Sequence, residues 1–132
     1  MITFAEQTIC LEDVKIFREI EKLIDDVETF PTSATLSCHI LAHAVGEIFS
    51  LPVEDGYWKL GYNHSWLRTE RGNIIDVYPV ATVGGPILIA GSVFCPELDK
   101  MYFPADLGDS IFSGNFRADV EVVKSLLSAN RE

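Results

Sequence analysis

The chain has 132 residues, of which 48% are apolar and 23% are charged. This length and balance are typical of a single globular domain covering residues 1–132. The net charge of −10 arises from 20 acidic and 10 basic side chains. A field of that sign repels nucleic-acid phosphates and anionic membrane surfaces, so neither a nucleic acid nor a membrane is an expected partner. The oligomeric state stays open.

Cysteine usage points to a reducing compartment. Cys10, Cys38 and Cys95 are odd in number and widely spaced, which argues against a disulfide framework and against a paired zinc or redox motif. The first ten residues lack the basic start and apolar run of a secretory signal, and no apolar stretch is long enough to span a bilayer. A cytoplasmic location is therefore expected, with Cys10 and Cys95 as structural residues.

The first predicted element is an amphipathic helix from Leu11 to Phe30. Glu12 and Asp13 lie in its opening turn, where carboxylates favour the helix dipole. Pro31 follows, and a helix usually ends before such a residue. The apolar residues recur at helical spacing: Val14, Phe17, Ile20, Leu23 and Ile24.

A second predicted helix, from about Leu36 to Phe49, has Cys38 near its start. Capping residues precede it: Thr32, Ser33 and Thr35. The helix dipole and free N–H groups at such a position stabilise a thiolate, and the same N–H groups can receive the oxygen of a tetrahedral intermediate. Cys38 also aligns with the apolar Leu41 and Val45, so packing in the core is the alternative interpretation.

The rest of the chain is predicted to be mainly strands. Asp55-Gly56 is typical of a turn, a strand follows from Tyr57 to Tyr62, and another covers Ser65 to Arg68. Later predicted elements are the strands Ile74–Val80, Ile87–Ala90 and Met101–Phe103 and the helix Phe116–Ser128. This order predicts an α+β fold in which N-terminal helices pack on a largely antiparallel sheet and a C-terminal helix closes the domain.

The loop between two of these strands determines which residues share a face of the sheet. Gly72 fits the left-handed position of a three-residue hairpin loop, and that loop pairs Thr69 with Asn73. Counting outward, His64 and Asp76 become diagonal neighbours on one face. A two-residue turn would instead place His64 and Asp76 on opposite faces.

Cys38, His64 and Asp76 are therefore the predicted catalytic residues. Nucleophilic cysteine catalysis needs a base that reaches the thiol and a carboxylate that orients the base. Asp76 interrupts an apolar strand, where a buried carboxylate needs a partner such as His64. The alternatives are a solvent-facing Asp76 and a histidine that only ends a strand.

The order and setting of these residues resemble the papain-like superfamily, especially its transglutaminase-like branch. The matching segments are Cys38 at a helix start, Asn63-His64-Ser65-Trp66-Leu67 and Ile75-Asp76-Val77-Tyr78. Arylamine N-acetyltransferases, NlpC-type amidohydrolases and small bacterial proteins with the same two strands are also similar. The resemblance spans Thr35 to Val80. It implies acyl transfer without a cofactor, in which Cys38 attacks a peptide, amide or small acyl substrate, His64 takes its proton and Asp76 holds the imidazole.

Other interpretations stay open. His39 and His43 have the four-residue spacing of metal ligands on a helix, and Glu47 continues that stripe, but such a line is more often a solvated face, so no metal is expected. A non-catalytic binding or regulatory domain on the same fold is a further alternative. Trp66, on the proposed catalytic face, is predicted to contact substrate, although aromatic residues in strands are more often core.

Overall fold

A computed structural model describes residues 2–3, 10–24, 37–59, 62–77, 86–89, 101–108, 112 and 114–130. Within these residues the chain forms three helices, α1 (Leu11–Ile24), α2 (Cys38–Phe49) and α3 (Phe116–Asn130). It also forms six strands, β1 (Ile2–Thr3), β2 (Val53–Trp58), β3 (Tyr62–Arg68), β4 (Ile74–Asp76), β5 (Ile87–Ile89) and β6 (Tyr102–Pro104). The α+β class predicted from the sequence is confirmed.

The six strands form one sheet with the order β1-β5-β4-β3-β2-β6. Every neighbouring pair is antiparallel except β1 and β5, which are parallel. The central strand β3 therefore lies between β2 and β4, and its side chains alternate between the two faces of the sheet. This strand carries residues of the candidate site on both faces.

The two faces of the sheet have different partners. All three helices pack on one of them, which we call the helix face, where Leu67, Ile75 and Leu88 join the main hydrophobic cluster. The opposite side, which we call the far face, carries a second cluster formed by Trp66, Ile74, Ile87, Ile89 and Tyr102. Alternation along β3 thus directs odd-numbered side chains to the helices and even-numbered ones to the far face.

The hairpin between β3 and β4 has the predicted register. Gly72 adopts a left-handed conformation with φ 85°, and the Thr69 N–H donates to the Asn73 carbonyl over 2.9 Å. Arg68 then pairs with Ile74. A glycine at the left-handed position thus fixes the loop length, and the loop length sets which side chains share a face.

A buried carboxylate holds α1 against this hairpin. Asp13 has no exposed surface and accepts hydrogen bonds from Thr69 Oγ1 and Asn73 Nδ2, each over 2.7 Å, and from Arg71 Nη1 over 3.2 Å. Its position in the first turn of α1 also suits the helix dipole, as the sequence indicated. The main role of Asp13 is nevertheless to hold the hairpin against α1. Its three hydrogen bonds offset the cost of burying a carboxylate.

The predicted turn at Asp55-Gly56 is wrong, and so is the predicted strand from Tyr57 to Tyr62. Asp55 and Gly56 lie inside β2, and the chain reverses after Trp58, where Lys59 has φ 54°. Gly56 does not form a turn but allows β2 and β6 to approach each other closely. A Cβ at this position would collide with the backbone of Phe103 in β6.

The helix boundaries also differ from the prediction. Helix α2 begins at Cys38 instead of Leu36, and its N-cap is Ser37, whose Oγ accepts from the Ile40 N–H over 3.2 Å. Helix α1 ends at Ile24 in the described chain, so the rest of its predicted length, like the predicted caps Thr32, Ser33 and Thr35, falls outside the described residues. None of the described helices combines the length and apolar character needed to cross a membrane.

Candidate active site

A buried histidine and a buried carboxylate face each other on the far face of the sheet. His64 Nε2 lies 3.0 Å from Asp76 Oδ1 and 2.9 Å from Oδ2, and neither side chain has exposed surface. Tyr102 Oη also donates to Asp76 Oδ2 over 2.8 Å. The carboxylate accepts the proton of Nε2, so this pair fixes both the orientation and the tautomer of the ring.

The other ring nitrogen of His64 is open. Among the described residues, no group forms a hydrogen bond with Nδ1, although the atom is buried. Burial by itself lowers the pKa of His64, but the hydrogen bond with Asp76, the nearby Cys38 thiol and the charges of both groups outweigh it and raise the pKa to about 9. An oriented imidazole with one unused nitrogen is the arrangement that proton transfer requires.

Cys38 is the first residue of α2, directly after the Ser37 N-cap, and its side chain is half-buried. Burial raises the pKa of its thiol, but the neighbouring imidazoles of His39 and His64 and their positive charge outweigh that effect and lower the pKa to about 6. The two imidazoles thus favour the thiolate over the thiol, and the position at a helix N-terminus favours the same charge.

A second polar network lies on the helix face and begins at His39, the residue that follows Cys38 in the first turn of α2. His39 is buried, with Nδ1 2.6 Å from Ser65 Oγ and Nε2 2.7 Å from Asn63 Oδ1. Ser65 donates to Asp55 Oδ1, and His43 Nε2 lies 3.0 Å from the same oxygen. These five residues link the first turns of α2 to β2 and β3.

This network changes the charge balance around the thiol. Burial lowers the pKa of His39, but the nearby Cys38 thiol, the hydrogen bond with Asn63 and the charges of Cys38 and Asp55 outweigh it, so the pKa is raised. Burial raises the pKa of Asp55, but hydrogen bonds from His43 and Ser65 and the charges of His43 and His39 lower it overall. Asp55 is thus an anion that accepts hydrogen bonds.

Exposure increases along the stripe from the buried His39 to the exposed Glu47, and the three side chains contact different partners. Both nitrogens of His39 are engaged, His43 pairs with Asp55, and Glu47 pairs with Arg117 and Lys124 of α3. Across the described part of the chain there is no group of three or more His, Cys, Asp or Glu side chains arranged to hold a metal ion.

Trp66 lies on the far face beside His64, as the register predicted, but it has no exposed surface. Its indole packs edge-on against Tyr102, with ring centroids 5.0 Å apart, and its Nε1 donates to Glu54 over 2.8 Å. This is the position of a core residue, which is the other interpretation of a strand aromatic, and it leaves no surface for the predicted substrate contact.

Sequence reasoning missed two supports of the site. Tyr102 lies in a region without clear periodicity, so its contact with Asp76 had no signal beyond a buried tyrosine needing a polar partner. The network of His39 could have been found from the alternation of β3, since Ser65 follows His64 and must point to the helices. The Cys95 thiol and the predicted end of the β4 strand fall outside the described residues.

Comparisons with family models, with curated proteins and with solved structures found no match to this chain.

Proposed function

We propose that this protein is a cysteine-nucleophile acyl-transfer enzyme of the papain-like and transglutaminase-like kind, with Cys38, His64 and Asp76 as its catalytic triad. The observation that carries the proposal is the buried His64–Asp76 pair, whose open Nδ1 belongs to the same ring that lowers the pKa of the Cys38 thiol. A cysteine and histidine that only pack in a core need neither the oriented ring nor the ionised thiol.

The proposed reaction starts from the Cys38 thiolate and the His64 imidazolium. The sulfur attacks the carbonyl carbon of an amide or ester and forms a C–S bond, and the carbonyl electrons move to its oxygen. When the tetrahedral intermediate collapses, the bond to the leaving group breaks and His64 gives its proton to the departing amine or alcohol. Asp76 keeps the ring in position and stabilises its positive charge.

The acyl-enzyme is then released by water or by an amine. His64 takes a proton from this second nucleophile, which attacks the thioester carbon, and the thiolate of Cys38 leaves. The N–H groups of Cys38 and His39 are in the first turn of α2, where the helix makes no internal use of them, and they can receive the oxyanion. The net charge of −10 suits a neutral or cationic peptide or amide substrate.

An acyl-type electrophilic probe tests the proposal. An activated aryl ester, such as nitrophenyl acetate, is mixed with the whole chain, and acetylated residues are mapped by mass spectrometry. We expect Cys38 to be acetylated and its acetyl group then to be released with turnover. Cys10 serves as an internal control, because both thiols are half-buried. The Cys38→Ser variant should lose the turnover.

The binding or regulatory alternative predicts a different result in the same experiment. If Cys38 is acetylated no faster than Cys10, or if Cys38→Ser turns over the ester as the native chain does, the domain is not a cysteine enzyme. An acetylated Cys38 that is not hydrolysed, but is released on adding a primary amine, would identify transfer rather than hydrolysis as the reaction.

A further inference from the structure

The hydrogen bonds behind Cys38 determine where each proton lies. Asp55 is ionised and can only accept, so the single hydroxyl proton of Ser65 must point to it. The oxygen of Ser65 is then an acceptor toward His39, and His39 Nδ1 must carry a proton. The charge on Asp55 thus requires a proton on Nδ1 of His39.

The proton on the other ring nitrogen of His39, Nε2, follows from Asn63. Its Oδ1 faces His39 Nε2 across 2.7 Å, and an amide oxygen is only an acceptor. A proton on each ring nitrogen makes the ring an imidazolium. We propose that His39 is held as a cation whose charge keeps Cys38 ionised, so that it is a positioning residue for the nucleophile.

The two histidines beside Cys38 therefore have separate roles. His39 has both nitrogens bound and cannot exchange a proton with a substrate, so it supplies a constant charge. His64 has one open nitrogen and can both take and give a proton. The protonation state of His39 stands independently, whereas its role in catalysis rests on the function proposed above.

The surroundings of His39 are consistent with a positive ring. The groups that face it are Cys38 from α2, Asp55 from β2, Asn63 and Ser65 from β3, and the ring of Phe112, which lies edge-on with its centroid 5.8 Å away. Asp55 and the Cys38 thiolate contribute negative charge, and both raise the pKa of His39. His43, one turn further along α2, is held by Asp55.

Imidazole nitrogen NMR tests the protonation state directly. The chain has three histidines, so His39→Gln and His43→Gln assign all the ring signals by difference. At pH 7 we expect both nitrogens of His39 to be protonated. A single proton on Nδ1, with Nε2 accepting from a reversed Asn63 amide, would overturn the proposal.

The effect on Cys38 is tested by its alkylation with iodoacetamide as a function of pH. Ser65→Ala removes the acceptor from His39 Nδ1 and fits the same buried position, so the midpoint of Cys38 alkylation should rise by about half to one pH unit. His39→Gln should raise it at least as far. The matched control is Glu47→Gln, which changes the same helix stripe outside the network of His39 and should leave the midpoint close to that of the native chain.

The outcomes separate the two proposals. A native midpoint well below that of an ordinary thiol, unchanged by Ser65→Ala and His39→Gln, would refute the role of His39 and leave the triad intact. A native midpoint near 9, the ordinary value for a cysteine, would refute the ionised nucleophile and with it the proposed enzyme. If Ser65→Ala fails to fold, the NMR measurement on the native chain still decides the protonation state of His39.

Discussion

The two sides of β3 hold two histidines in contrasting ways. On the far face, His64 is fully buried, has Asp76 on one nitrogen and keeps the other nitrogen open. On the helix face, His39 is bound through both nitrogens, to Ser65 and to Asn63. Both rings lower the pKa of the same thiol, that of Cys38, which is the first residue of α2.

The contrast shows that hydrogen-bond count, rather than burial, separates a proton-transfer group from a fixed charge. A ring with an unused nitrogen can change protonation state during a reaction without breaking its orienting bond. A ring with two acceptors loses a hydrogen bond whenever it loses a proton, and a buried unpaired acceptor is costly. Neighbouring residues on one strand thus support different roles by pointing to opposite faces.

The largest expected effect is on turnover of the activated ester. His64→Gln should reduce turnover by about 10²- to 10⁴-fold, because the proton-transfer group is lost. His39→Gln should reduce it by only about tenfold, because it weakens ionisation of the nucleophile and leaves the base in place. Stopped-flow measurement of both variants tests this order. Equal or reversed losses would contradict the assignment of proton transfer to His64 and of fixed charge to His39.

The next largest effect concerns stability. Asp76→Ala leaves the buried His64 and Tyr102 without their shared partner and should lower the free energy of unfolding by about 3–5 kcal/mol. Ser65→Ala removes one neutral hydroxyl from the other network and should cost only about 1–2 kcal/mol. Urea denaturation of both variants measures the difference, and equal losses would mean that the far-face pair is not the more demanding of the two.

A smaller effect appears in the pH dependence of stability. The pKa of Cys38 falls from 9.0 to about 6 on folding. Its contribution to the free energy of unfolding is therefore complete above pH 9 and is lost as the pH falls toward 6. The pKa of His64 rises from 6.5 to about 9, so its contribution is complete below pH 6.5 and is lost as the pH rises toward 9. The two trends oppose each other in the native chain.

Cys38→Ser removes one of these two trends. The contributions of His64 and His39, whose pKa values are both raised, then remain, because Asp76 still acts on His64 and Asp55 on His39. Stability of the variant should therefore decline by an amount on the order of 1 kcal/mol between pH 6.5 and 9, while the native chain changes less. Urea midpoints at several pH values check this, and parallel curves for both proteins would contradict the coupling of the thiol to the ring.

The smallest effect is expected at the end of the same helix stripe. Glu47 pairs with Arg117 over 2.6 Å and Lys124 over 3.0 Å in an exposed cluster. Glu47→Gln should lower the thermal midpoint by a few degrees at most, because exposed ion pairs contribute little, and should leave alkylation of Cys38 unchanged. A shift in the alkylation midpoint would show that charge on α2 acts over a longer range than the two networks allow.

Local signals in the sequence are enough to predict the far-face pair. Gly72 fixes the hairpin loop and hence the register, and that register places His64 and Asp76 on one face. Cys38 can be placed at a helix start from its capping context, although the cap proved to be Ser37. These features depend on residues close together in the chain.

Features that depend on distant segments could not be predicted. Gly56 resembled a turn glycine, and its true reason, the approach of Phe103, needs the position of β6. The partners of Asp76 include Tyr102, which follows a long stretch without periodicity. A histidine stripe on a helix also looks the same in sequence whether it is solvated or buried.

The proposed triad requires that Cys38 and His64 form a thiolate–imidazolium pair at neutral pH. Thiolate absorbance in the ultraviolet, measured against pH as the difference between the native chain and Cys38→Ser, reports the ionisation of this one sulfur. We expect a midpoint close to 6. A midpoint close to 9.0, the ordinary cysteine value, would show that the rings do not act on the thiol and would contradict the proposed triad.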